Sequence, residues 1–192
     1  MFGIAALLAG CKTEEEVKES AQSFNYVVDH FADVEIMRYQ VDNWDSLSLN
    51  QKKLVYYLSE AALCGRDIIF DQNCAYNILI KNALEAIVDT YSGDKSTQDW
   101  EKFMEYVKRF WFSNGIHHHY SYAKFYPEIS KEYFVSLMNG SDKNKIFAGD
   151  QLQQKIVMDL IANVIFDTTK VSLKVSQDPN ADLVQSSAVN FY

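Results

Sequence analysis

The sequence predicts a mainly α-helical protein with a few β-strands (α+β). Apolar residues recur at spacings of three and four through several long stretches, the period of a helix with one buried face. Serine, threonine and aspartate stand where those stretches begin, as helix N-caps do. Only 2 Pro and 7 Gly occur in 192 residues, too few for the many tight turns of an all-β fold. Hydrophobic residues at 48% and charged residues at 23% are ordinary for a folded domain, which excludes a wholly disordered or collagen-like chain. A net charge of −8 repels phosphate backbones, so nucleic acid is not an expected partner.

In chain order, Met1–Gly10 is a short apolar run ending at Cys11, and Leu8-Ala9-Gly10-Cys11 fits the lipobox of bacterial lipoproteins. A bilayer span needs about 20 apolar residues, so this run is too short to cross one. Residues 1–11 are therefore expected to form a lipoprotein signal peptide, with Cys11 the lipidated residue. A buried first helix is the alternative. Lys12–Ser20 is polar and charged, and 12–23 reads as a flexible tether. The expected localisation is an exported bacterial lipoprotein, membrane-anchored through Cys11 on the periplasmic side or at the outer membrane.

Phe24–Val41 begins with mixed periodicity and ends in a candidate strand, where Val34, Ile36 and Arg38 alternate with Glu35, Met37 and Tyr39. Asp42–Ser48 reads as a loop. Ser48-Leu49-Asn50-Gln51 is a capping box opening a helix with Leu54, Tyr57, Leu58, Ala61 and Ala62 on one face, and Gly65 breaks it. Tyr76–Tyr91 places Ile80, Leu84, Ile87 and Val88 on a helical face, with Gly93 as its stop. Ser96–Asp99 caps a helix striped by Trp100, Phe103, Met104, Val107, Phe110 and Trp111, which Asn114-Gly115 ends. Ser130–Asn139 is a short helix closed by Gly140, and Ser141–Lys145 is polar. Asp150–Phe166 is helical, with Leu152, Ile156, Leu160, Ile161 and Val164 on one side. Val171–Val175 alternates like a strand, and Asp178–Asp182 reads as a turn.

Chemistry concentrates in the loop Asn114–Pro127, which holds three of the 4 histidines as His117-His118-His119. Consecutive histidines lack the one-face spacing of a helical metal pair. In an extended loop His117 and His119 point the same way and would bind zinc only with a third ligand from elsewhere. The reading preferred from the residues is a polar–aromatic surface of imidazoles with Tyr120, Tyr122 and Phe125. Such groups offer donors, acceptors and ring faces at low rotamer cost, which suits contact with a peptide. The structural alternative is a loop packed over the Trp100–Trp111 helix. Cys64 and Cys74 read as buried free thiols, with a disulfide left open. The sequence contains no H-E-x-x-H, G-x-S-x-G, P-loop or G-x-G-x-x-G motif.

Three stretches carry a resemblance. Trp111-Phe112-Ser113-Asn114-Gly115-Ile116-His117-His118-His119-Tyr120, followed by Lys124-Phe125-Tyr126-Pro127, resembles a segment of the dipeptidyl-peptidase III family, zinc-dependent exopeptidases, in its bacterial, Bacteroides-type branch. Leu54–Asp67 is similar to that family's early helix, and Phe31–Val41 to the start of the bacterial members. The resemblance covers about residues 24–192. Members are several times longer and form two lobes around a wide cleft. Their zinc is held by two histidines of H-E-x-x-G-H and a later glutamate, and the motif glutamate acts as general base on a zinc-bound water. None of these motifs occurs in this chain.

The resemblance therefore implies that 24–192 is a partial, mostly helical peptidase N-terminal domain, the lower-lobe portion of a two-lobe metallopeptidase. It implies a peptide substrate, a separate C-terminal lobe as partner, and zinc in the full-length family with none bound by this chain. No residue here is expected to be catalytic, and the chain alone is expected to be inactive. By matched position, Asn114, Tyr120, Tyr122, Lys124 and Phe125, with His119 beside them, are the residues expected to shape the substrate subsites. A stand-alone, lipid-anchored peptide-binding module without catalysis is the alternative function. Exposed apolar helix faces and self-association of the isolated chain are further expectations.

Overall fold

The structure, a computed structural model, describes residues 24–174. The apolar leader with Cys11, the tether at 12–23, Val175 and the Asp178–Asp182 turn lie outside the described residues. The fold is mainly α with one two-stranded antiparallel sheet, as the sequence predicts.

The candidate strand at Val34–Val41 is present only over Val34–Met37, short of Arg38 and Tyr39, and it has a partner the sequence did not reveal. Strand β1 (Val27–Phe31) pairs antiparallel with β2 (Val34–Met37), with Phe31 opposite Val34 and His30 opposite Glu35. An irregularity between Val27 and Asp29 breaks the alternation of β1, which is why periodicity alone missed it. The reversal at Ala32-Asp33 holds Ala32 at φ 49°. Asp29 and Asp33 tie the hairpin to the helix that follows later, through Lys108 Nζ at 2.7 Å and Arg109 Nη2 at 3.2 Å. Within the expected loop at Asp42–Ser48, Trp44–Ser46 forms a single 3-10 turn.

Helix α1 (Leu49–Cys64) starts at the predicted capping box: the Ser48 hydroxyl accepts from Gln51 N–H, and the Gln51 side chain accepts from Ser48 N–H at 2.8 Å. Its predicted apolar face buries nothing. Leu54, Tyr57 and Leu58 are 59%, 66% and 60% exposed, and α1 contains no buried residue. Gly65 separates it from α2 (Arg66–Asn73), which buries only Phe70.

The core lies between α3 (Asn77–Thr90), α4 (Gln98–Ser113), α5 (Lys131–Asn139) and α7 (Gln151–Phe166). Ile80, Leu84 and Ile87 of α3 face Phe103, Val107 and Phe110 of α4 in one buried cluster that also takes in Phe134, Leu137 and Ile161. Rings carry much of it: Tyr91 stacks on Trp100 at 5.5 Å, Phe103 meets Phe134 at 6.4 Å, and Phe134 meets Phe166 at 5.8 Å. Removing one such fully buried ring, as in Phe103→Ala, costs about 3–5 kcal/mol. Three caps sit where the sequence placed them: Thr97, Ser130 and Asp150 each accept from an N–H of the first turn.

Several expectations need correction. The chain leaves α3 at Tyr91, whose ψ of 122° is extended, before Gly93 is reached. The polar stretch Ser141–Lys145 contains a one-turn helix, α6 (Lys143–Ile146), that buries Ile146. In α7 the buried residues are Gln154, Met158, Ile161, Ala162, Val164 and Ile165, whereas Leu152 and Ile156 are exposed. The buried stripe is rotated because Gln154 turns inward: its amide donates to Asn144 Oδ1 at 2.9 Å and to the Phe147 carbonyl at 3.3 Å. Of the stretch expected to be a strand, the described residues Val171–Lys174 form none, and Leu173 makes an isolated bridge to Ala123. Cys64 is a free thiol and exposed, so it is not bridged to Cys74 and is not the buried thiol expected; Cys74 is half-buried. No helix among the described residues is long and apolar enough to cross a membrane.

Candidate functional site

The loop after α4 begins with a backbone that only certain residues allow. Asn114 ends the helix in the left-handed region (φ 53°, ψ 46°). Gly115 follows at φ 142°, and a Cβ there would run into the Asn77 amide. Asn77, fully buried in α3, is the anchor. Its Nδ2 donates to the carbonyls of Phe70 at 3.0 Å and Asn114 at 3.4 Å, and its Oδ1 accepts from Ile116 N–H at 3.3 Å. Asn73 adds a second amide to the Asn114 carbonyl at 3.0 Å. Asn114 thus serves the loop through its backbone.

From Ile116 the chain folds into a narrow reversal. Phe125 N–H reaches the Ile116 carbonyl at 3.1 Å, His118 N–H reaches Ala123 at 2.8 Å, and Tyr122 N–H reaches His118 at 3.1 Å. The segment after α7 seals its outer edge: Lys124 N–H donates to Ser172 at 2.9 Å, and Lys174 N–H donates to Tyr122 at 2.8 Å. The tip residues Tyr120, Ser121 and Tyr122 are therefore held from both sides.

This scaffold divides the predicted residues into two groups. His117, Lys124 and Phe125 point inward. His117 is buried, with Nε2 at 2.7 Å from the Val171 carbonyl; the carbonyl only accepts, so Nε2 carries the hydrogen. Lys124 is only 6% exposed, and its ammonium donates to the carbonyls of Val164 (2.8 Å), Asp167 (2.6 Å) and Lys170 (2.8 Å). Burial pushes its pKa down and the Asp167 carboxylate pushes it back up. Phe125 is buried edge-on to Tyr106 at 5.5 Å, with the Arg109 guanidinium 5.3 Å above its ring. The structure thus places Lys124 and Phe125 in the support of the loop rather than on its open face.

The second group faces outward. Tyr120 is 81% exposed, and Tyr122, with φ 58°, is half open beneath the Lys174 ammonium at 5.5 Å. His118 and His119 stack at 4.4 Å, His119 meets Tyr120 at 4.4 Å, and Phe112 meets His119 edge-on at 4.9 Å. His118 Nδ1 accepts from Tyr120 N–H at 3.2 Å and Ser121 N–H at 3.3 Å, which fixes its hydrogen on Nε2, 3.8 Å from Asp33. The Asp33 carboxyl is held below the usual carboxylate range, first by its own backbone N–H and then by the Arg109 charge. Partial burial, and after it the neighbouring His118, pushes the His119 pKa down.

Sequence reasoning missed Asn77, Asp33 and Arg109. Asn77 left one signal, a polar residue inside the apolar period of α3. Asp33 and Arg109 left none, because their pairing depends on how the hairpin lies against α4. Among the described residues no group of three or more His, Cys, Asp or Glu is placed to hold a metal ion. The three imidazoles share no ligand point: His117 turns to Val171, His118 Nδ1 is taken by two amides, and His119 is stacked between rings. These residues do not fit a zinc site.

The outward group is an open shelf rather than a pocket. A hollow of about 550 Å³ lies elsewhere, between α5, α6 and α7, lined by Val135, Met138, Lys143, Gln154, Lys155 and Met158 among others. The shelf offers imidazole and phenol hydrogen-bonding groups and ring faces on a backbone that is fixed in advance. No protein-family model and no curated protein matches the chain.

Proposed function

We propose that this chain is the N-terminal part of a zinc-dependent dipeptidyl-peptidase, and that it contributes a peptide-contact surface of the substrate cleft. The observation that carries the reading is the His118–His119–Tyr120–Tyr122 shelf, half-buried at His118 and exposed at the other three, yet locked by Asn77, Lys124 and the 171–174 segment. Aromatic and imidazole side chains on a rigid reversal bind extended peptide with little ordering cost. The resemblance of Trp111–Tyr120 and Lys124–Pro127 to the dipeptidyl-peptidase III family supplies the reaction class, removal of dipeptides from a free N-terminus. No hydrolytic step is assigned to residues of this chain. Attachment through a lipid on Cys11 and an exported location belong to the same proposal.

Of the residues expected to shape the subsites, Tyr120, Tyr122 and His119 are assigned to substrate. Asn114, Lys124 and Phe125 are assigned to holding the shelf. In an enzyme that carries this chain together with a zinc-bearing lobe, Tyr120→Ala and Tyr122→Ala should raise KM for short peptides by roughly tenfold, about 1.4 kcal/mol, with kcat little changed. An unchanged KM in both variants would refute the assignment.

A further inference from the structure

The largest unexplained feature of the molecule is α1. Its start is fully specified by a reciprocal capping box, yet none of its side chains is buried, and Leu54, Val55, Tyr56, Tyr57, Leu58 and Leu63 all stand more than 40% open to solvent. A helix that is apolar nearly all round belongs inside something. Its charges say what. Lys53 and Glu60 sit on one edge of the Leu54–Tyr57–Ala61 stripe, two turns apart, and neither has an ion-pair partner among the described residues. Lys52, by contrast, is occupied by Asp45 at 3.9 Å and the Trp44 ring at 5.9 Å.

We infer that α1 is a self-complementary docking surface, whose occupant is α1 of a second copy of this chain packed antiparallel to it. If the two-fold axis passes between Val55 and Tyr56, Leu54 of each copy packs on Tyr57 of the other. The same alignment brings Lys53 of each copy beside Glu60 of the other, so both unpaired charges are matched twice by one symmetry operation. Heptad notation gives the same result: with Leu54 at a and Tyr57 at d, Lys53 and Glu60 are both g positions, and flanking charges of that kind set partner choice and orientation. An isologous contact of this sort closes on itself and yields a dimer rather than a fibre. A parallel pairing would set Lys53 beside Leu58 of the other copy, five residues on, and leave both charges unmatched. This inference does not rest on the peptidase reading.

Sedimentation equilibrium of the full 192-residue chain at micromolar concentration tests it. The expected species is a dimer of twice 22.1 kDa. Leu54→Glu should abolish dimerisation, and Lys53→Glu should weaken it by about tenfold or more at low salt. Lys53→Glu combined with Glu60→Lys should restore it. Leu54, Lys53 and Glu60 are exposed within one copy, so circular dichroism of the variants should match the parent and separate loss of pairing from loss of fold. A monomer at all concentrations, open-ended aggregation, or a dimer indifferent to Leu54→Glu would each overturn the proposal, as would a double variant no better than Lys53→Glu.

Discussion

The ammonium of Lys124 lies 2.6 Å from the carbonyl oxygen of Asp167, and this contact joins the candidate site to the end of the last helix. With Val164 and Lys170 it makes three carbonyls around one buried charge. Carbonyls at a helix C-terminus have no partner within the helix, and a cation there also meets the negative end of the helix dipole. Lysine is thus the pin that holds the reversal against α7.

Removing the pin should be costly. Lys124→Met strands three carbonyls and deletes charge-assisted bonds, for an expected loss of about 2–4 kcal/mol. Urea denaturation checks this. A loss under about 0.5 kcal/mol, the range of an ordinary surface substitution, would show that the charge does not hold the loop.

The anchor at the other end makes a second prediction. Asn77→Ala leaves the Ile116 N–H and the Phe70 carbonyl without their side-chain partner, for about 1–3 kcal/mol. Gly115→Ala meets both the strained φ of 142° and the Asn77 amide, and should cost a similar about 1–3 kcal/mol. The two residues press on each other, so the double variant should lose less than the sum of the single losses. Additive losses would contradict the contact.

Acid should loosen the shelf in two stages. His119 has a depressed pKa, so folding favours its neutral form. Its contribution is present above the ordinary histidine value of about 6.5 and is lost as pH falls through the lower folded value. Asp29 and Asp33 are also depressed, Asp29 chiefly by its bond to Lys108, so their share is present above about 3.9 and is lost below it. Melting temperature should fall slightly between pH 7.5 and 5.5 and steeply below pH 4, and the first fall should shrink in His119→Gln. A flat first stage in the parent protein would count against the imidazole account.

Much of this architecture is legible in the sequence because its signals are local. Ser48-Gln51, Thr97, Ser130 and Asp150 announce helix starts through bonds to residues two or three positions on, and Asn114-Gly115 announces an end through backbone conformation. What periodicity leaves open is the partner of a face. Leu54 and Leu58 read like Ile80 and Leu84, yet the first pair is open to solvent and the second is sealed. The candidate site was legible as a loop rich in His and Tyr, but not in its division of labour. Lys124 reads as a surface cation because its partners are backbone carbonyls, which every residue possesses. Arg109 and Asp33 pair across the gap between α4 and a hairpin whose first strand is hidden by its irregular register.

Peptide binding at the shelf is open to direct measurement. Titrating the chain with a short peptide bearing a free N-terminus, while following backbone amide NMR shifts, tests it residue by residue. Saturable shifts are expected at His118, His119, Tyr120 and Tyr122, and they should disappear in Tyr120→Ala combined with Tyr122→Ala, whose remaining spectrum stays that of the folded parent. Saturable shifts elsewhere with these four amides unmoved, or no shifts at millimolar peptide, would contradict it.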